Sequence, residues 1–299
     1  MLVSLSRFGA LVGRSLVVGV GFAFSLMLGG MTMNILGLPL PSFGGQPKPF
    51  QSLISALIAG TLTGLTLGPL GSRLNLPLFG RACLWFLLLF VLNGLINMVE
   101  AVFFTTIPLP QLASSLAILA FGQAGLAVLL TLLFRPQQTG SGLLARLRET
   151  LAQRTGVSWA WRFGLAALSY LPIYFAFGMI VAPFVLPYYN NPDLGLNLVV
   201  PGFGVILPLE IGRGLLYALT LFPLIAVLRG GLGSKTFWVG LTIAVLGSWV
   251  PMLQAPGWPL VLRMAHGLEI TADAFVQGFV LTWLLATKQS SDLATEGLR

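Results

Sequence analysis

Eight apolar stretches, each about 20 residues or longer, divide the chain, and no soluble fold accommodates so many. They fall near 15–37, 51–70, 82–106, 111–134, 159–187, 205–228, 236–254 and 264–286. A helix of about 20 residues crosses the roughly 30 Å hydrocarbon layer, and there every backbone N–H and C=O must be satisfied within the segment. The expected fold is therefore all-α: a polytopic membrane protein with eight transmembrane helices. Only 8% of residues are charged, against about 25% in soluble domains. Arg7 and Arg14 precede the first apolar run as in a signal peptide. No small-x-small cleavage site follows and the run is long enough to span, so it reads as a retained helix.

The formal charge of +8 is spread along the chain rather than gathered in a basic domain, so no nucleic-acid partner is expected. Thirteen Lys and Arg residues lie in the N-terminus, the segments 71–81, 135–162 and 229–235, and the C-terminal tail, whereas the alternate loops hold only Lys48 and Arg263. The positive-inside rule then places both termini in the cytoplasm. Arginine outnumbers lysine, which suggests a bacterial cytoplasmic membrane. The bilayer is the one certain partner expected; other membrane subunits are the alternative. A single cysteine, Cys83, and a single histidine, His266, exclude a disulfide, a within-chain bis-His haem and the usual zinc sites, and no cofactor is expected.

Shifting the chain by 154 residues brings Leu65-Thr66-Leu67-x-Pro69-Leu70 onto Leu219-Thr220-Leu221-x-Pro223-Leu224, and Ala120-Phe121-x-Gln123 onto Ala274-Phe275-x-Gln277. Four helices is an even number, so the halves would insert the same way up, as parallel repeats. The expected division is a first four-helix repeat (1–134), a basic amphipathic cytoplasmic linker (135–158), a second repeat carrying a polar cluster (159–287) and a tail (288–299). In the linker, Leu143, Leu144, Leu147 and Leu151 alternate with Arg146, Arg148 and Arg154 at a spacing suited to an interfacial helix. The 188–204 loop is apolar and rich in Pro, Gly and Asn, and could cover the outer face.

Three spans carry polar stripes. At about 100° per residue, Arg263, His266, Glu269, Asp273 and Gln277 fall within an arc of about 120° on the eighth. Glu210, Arg213, Tyr217 and Thr220 share about 80° of the sixth, and Asn93, Asn97 and Glu100 about 60° of the third. Ionisable groups in hydrocarbon are costly, so these stripes should face protein or water. Depths of about 8–9 Å for Glu100, Glu210 and Glu269, with Asp273 near the midplane, point to one shared cavity in the outer half of the membrane. Glu100, Glu210, Arg213, Arg263, His266, Glu269 and Asp273 are the expected binding or proton-relay residues. Asn93, Asn97, Tyr217 and Gln277 are the expected cavity lining. Four carboxylates against two arginines leave excess negative charge, so either some hold protons, His266 is charged, or a cation binds.

A transporter or channel for a small solute or ion, coupled to protons or a cation, is the function these features support best. In it Arg213 and Arg263 would hold an anionic group. A non-catalytic subunit or assembly factor is the first alternative. The second is an intramembrane hydrolase in which Glu210 and Glu269 activate water and His266 shuttles protons. The Glu210-x-x-Arg213-Gly run faintly resembles the glutamate–arginine motif of intramembrane CAAX-processing-type proteases, but the paired glutamates are missing and the histidine spacing differs.

Overall fold

The computed structural model describes residues 2–39 and 49–287, so Lys48 and the expected tail 288–299 lie outside the described residues. It is all-helical: among the described residues extended pairing is confined to an isolated bridge between Thr105 and Leu198. Eight helices are long and apolar enough to cross a membrane, and the protein is a multi-pass membrane protein. They are α1 (Leu2–Ile35), α2 (Pro49–Gly71), α3 (Leu78–Phe104), α4 (Leu109–Leu133), α6 (Gly156–Val185), α7 (Phe203–Val227), α8 (Leu232–Gln254) and α9 (Leu260–Leu285). A short α5 (Leu143–Leu151) occupies the central linker.

Proline sets several helix starts. Pro49 opens α2, and Pro77, Pro108 and Pro259 sit at the N-caps of α3, α4 and α9, where a missing N–H costs nothing. Arginines close the other ends. Arg81 donates to the Thr131 carbonyl at 3.3 Å, near the end of α4. Arg154 and Arg162 both donate to the Leu284 carbonyl at 2.8 Å, at the end of α9. The last carbonyls of a helix lack intrahelical partners and carry partial negative charge, so guanidinium groups stabilise them. These contacts also fold the linker onto the body: Leu143 and Leu147 of α5 pack against the core, while Leu144 and Leu151 are exposed.

The packing has two similar halves. In one, α1 lies against α2 and α4, and α3 against α4; in the other, α6 lies against α7 and α9, and α8 against α9. The halves meet where α8 crosses α2 and α3 crosses α7. At that seam α3 and α8 each contain a π-helical segment, Phe90–Leu95 and Ala244–Trp249, and the two segments touch. A π turn inserts one extra residue and re-aims the side chains beyond it, and such turns recur at functional sites. On the face away from the arginine-rich helix ends, the connection from α6 to α7 is stitched to the end of α3: Thr106 N–H donates to Asn197 O and Val199 N–H to Phe104 O, both at 2.9 Å. Leu196 and Leu198 are buried beneath it with Val185 and Leu262, so this loop covers that face.

On α2, Gly60, Gly64 and Gly68 recur every fourth residue, and this stripe is where α1 and the end of α4 approach. A Cβ on Gly60 would stand 2.8 Å from the Phe22 Cβ, and one on Gly64 2.8 Å from the Ser15 Cα. Backbone cannot yield as a side-chain tip does, so Gly64→Val should lower stability by about 1–3 kcal/mol. Gly212→Ala, which meets nothing within 4 Å, should leave the melting temperature in detergent unchanged, and equal melting of the two variants would contradict this packing.

Candidate functional site

Arg213 is the hub. Glu210, Arg213 and Tyr217 follow one another on the buried face of α7, and Gly214 lets that helix lie close against Ala167 and Tyr170 of α6. The Arg213 Nη1 group donates to both Glu210 carboxylate oxygens, at 3.0 and 3.1 Å. Its Nη2 group reaches Glu100 Oε2 of α3 at 3.4 Å. The guanidinium plane sits over Tyr170 at 5.4 Å and Tyr174 at 6.0 Å, and a desolvated cation over aromatic faces gains further stabilisation. Arg213 thus ties α7 to α3 and to α6.

The buried face of α9 supplies the rest. The His266 Nδ1 atom lies 2.9 Å from Glu269 Oε2, and Nε2 lies 3.3 Å from the Tyr189 hydroxyl. A neutral ring that donates from Nδ1 to the carboxylate accepts at Nε2 from the tyrosine; a charged ring donates at both. One turn deeper, Asp273 is only 2% exposed and its Oδ1 has no hydrogen-bond partner. Gln277 follows another turn on, donating to Ala166 O at 3.3 Å with its own Oε1 unpartnered. Asp273 lies within Coulombic reach of Glu269, Glu210 and Arg213. The four acids of α3, α7 and α9 therefore lie near one another, as their stripes imply; Glu100 and Glu210 pair with Arg213, and Glu269 with His266. Arg263 stands apart: no ion pair among the described residues includes it, and its Nε is buried without a partner. Among the described residues, Arg213 is the one arginine that pairs with these acids.

Beside the cluster lies a cavity of about 440 Å³, walled mainly by apolar side chains of α2, α3, α4 and α8 and capped by Tyr189, Leu196 and Leu198 of the covering loop. Asn93, Asn97 and Glu100 line it together. Asn93 sits within the π segment and donates to Gln254 Oε1 across the seam at 3.3 Å. Glu100 and His266 both line the cavity and touch the buried cluster behind its wall.

The remaining stripe residues are placed differently from expectation. Glu210, Arg213, Glu269 and Asp273 are buried off the cavity, and so are Tyr217 and Gln277, which were expected on its wall. The Tyr217 hydroxyl lies 3.7 Å from where a Cβ would stand on Gly247, which itself lines the cavity. The physical reason is helix rotation: α6, α7 and α9 pack on one another and turn their polar faces inward, towards Tyr170 and Ala166, rather than into the gap between halves. Among the described residues no guanidinium lines the cavity, so Arg213 and Arg263 are not placed to hold an anionic solute there.

Sequence reasoning gave no site role to Tyr170, Tyr174, Tyr189 or Gln254. Tyr170 and Tyr174 are spaced i, i+4 in an otherwise apolar span, a signal that one face of α6 is also polar. Gln254 stands 154 residues after Glu100, the offset at which the two halves of the sequence were aligned. Among the described residues no three His, Cys, Asp or Glu side chains are grouped to hold a metal. No protein-family model matches the chain, and neither a curated protein nor a solved structure is detectably similar to it.

Removing one member of a buried ion cluster strands the others. Arg213→Met should cost about 3–5 kcal/mol by leaving Glu210 uncompensated. Adding Glu210→Gln and Glu100→Gln should restore much of that loss, as thermal melting in detergent would register. A triple variant no more stable than Arg213→Met would show that the pairing is not what holds α3 and α7 to each other.

Proposed function

We propose that this protein is a transporter that moves a small solute through the cavity in exchange for, or together with, protons held by the buried carboxylates. The observation that carries the reading is the double placement of His266: its ring faces the cavity while Nδ1 meets buried Glu269 at 2.9 Å. A proton taken up at the imidazole from the cavity can pass along that contact to Glu269, with Asp273 one turn further inside. Four carboxylates around one guanidinium cannot all remain charged in a low-dielectric interior, so the cluster holds protons or a cation. The solute reading follows from the wall. A cavity of this size suits a small organic molecule. Its walls are mainly apolar, and among the described residues the one acid on them is Glu100, with no arginine or lysine. An apolar body with a cationic or hydrogen-bond-donating end is the matching chemistry. The hydrolase alternative is less well served, because Glu210 is off the cavity and both its oxygens accept from Arg213.

The architecture we propose is two parallel four-helix repeats, with both ends of the chain in the cytoplasm, in a bacterial cytoplasmic membrane. Supporting it, the segments Leu78–Leu89 and Phe90–Leu95 have counterparts Leu232–Ile243 and Ala244–Trp249 whose bounds are each shifted by 154 residues. Gln123 and Gln277, also 154 apart, are both wholly buried with unpartnered amide oxygens. On this reading the cavity opens towards the exterior between the repeats, and rocking of one repeat on the other, across the paired π segments, exposes it alternately.

Two measurements test these statements. In proteoliposomes with a trapped pH indicator, lipophilic organic cations should drive proton movement, and Glu269→Gln should reduce it at least about tenfold while melting stays near wild type. Unaltered coupling in both Glu269→Gln and His266→Gln would sink the relay. For orientation, in a Cys83→Ala background, an impermeant maleimide applied outside cells should label Asp193→Cys and spare Glu149→Cys; the opposite pattern would invert the topology.

A further inference from the structure

At the end of the molecule opposite the cavity is a second pocket, of about 550 Å³, and it has the reverse electrostatic character. Three arginines line it, each just past the end of a spanning helix: Arg73 after α2, Arg135 after α4 and Arg229 after α7. Gln137 and Gln138 add neutral amide donors. Among the described residues no carboxylate lines the pocket, and no ion pair includes any of the three arginines. The helix ends contribute about half a negative charge each, roughly half of what the three guanidinium groups carry, so the pocket stays net positive. Arg73 is held with its guanidinium 5.3 Å from the centre of the Trp238 ring, which fixes its plane and leaves its N–H edges to bind elsewhere. Arg135 spends one donor, Nε, on the Leu132 carbonyl at 2.9 Å, and its terminal nitrogens remain.

We infer that this pocket binds a phosphate group. Planar guanidinium forks match phosphate oxygens two at a time, and three such forks with flanking amides suit a multiply charged tetrahedral anion better than a single carboxylate. The pocket is too large for a bare phosphate, so the group is borne by something bigger: the headgroup of an anionic phospholipid or a soluble phosphoester. Basic pockets between spanning helices at the headgroup level take anionic lipids for this reason. Arg73 and Arg135 come from one half of the molecule, and Arg229 and Trp238 from the other. The bound phosphate therefore bridges the halves at the end remote from the cavity. This site stands on its own residues and does not depend on the transport reading.

The test uses the full chain purified in an uncharged detergent. Native mass spectrometry would compare retention of phosphatidylglycerol with phosphatidylcholine, and thermal melting would be followed with pyrophosphate against chloride at matched ionic strength. Wild type should retain phosphatidylglycerol preferentially, or be stabilised by pyrophosphate, or both; the first points to a lipid source and the second to a soluble one. The double variant Arg73→Gln, Arg229→Gln should bind at least about tenfold more weakly, the scale of losing charge-assisted hydrogen bonds. Arg73→Lys with Arg229→Lys keeps the charge and should recover part of the affinity, which controls for misfolding. No preference in wild type, or a preference equal in the double glutamine variant, overturns the assignment.

Discussion

A guanidinium stripped of water in the middle of a membrane protein must be answered by anions, and much of this molecule is arranged around that requirement. Arg213 draws Glu210 from its own helix and Glu100 from the other half, and it rests on two tyrosines of α6. Without those partners, burial would cost several kcal/mol. With them, three helices are held in one register. The acids of α9 lie next to this knot, Glu269 against His266 and Asp273 with one carboxylate oxygen unpartnered.

The cavity and the cluster are separate bodies joined at two points. Glu100 touches both, through Arg213, and so does His266, through Glu269. A change of charge or occupancy in the cavity can therefore be felt behind its wall without any water entering the knot. On the repeat reading, the asymmetry has a simple origin. The positions corresponding to Glu210 and Arg213 are Ala56 and Ala59, and those corresponding to Glu269 and Asp273 are Ser115 and Leu119. Ala56, Ser115 and Leu119 line the cavity. Small and apolar side chains leave space in one half where charged and aromatic ones fill it in the other.

The spanning helices were legible because hydrocarbon imposes one rule on every residue of a span, and a run of about 20 apolar residues announces it. The polar stripes were legible for the same reason, since an acid on a greasy helix must face inward. That inward direction is ambiguous, however. Tyr217 and Gln277 share a face with the acids, yet that face meets α6 rather than the cavity, and only the rotation of packed helices distinguishes the two. Arg263 carries the same charge as Arg213 and shares the stripe of Glu269 and Asp273, but among the described residues it enters no ion pair. The π segments were invisible as well, because one extra residue in a turn leaves no mark in an apolar pattern.

By itself, the amino-acid order determined the number of spans, the faces that could not meet lipid and the residues on which a site could be built. These follow from solvation, which acts on each segment independently of its neighbours. The tertiary structure alone decided that one arginine pairs with the acids of α3 and α7, that the histidine joins cavity to cluster, and that three distant arginines gather round a single pocket. Those outcomes depend on distances between helices far apart in sequence, and charge interactions that vary steeply with separation and desolvation cannot be read from the chain before it is packed.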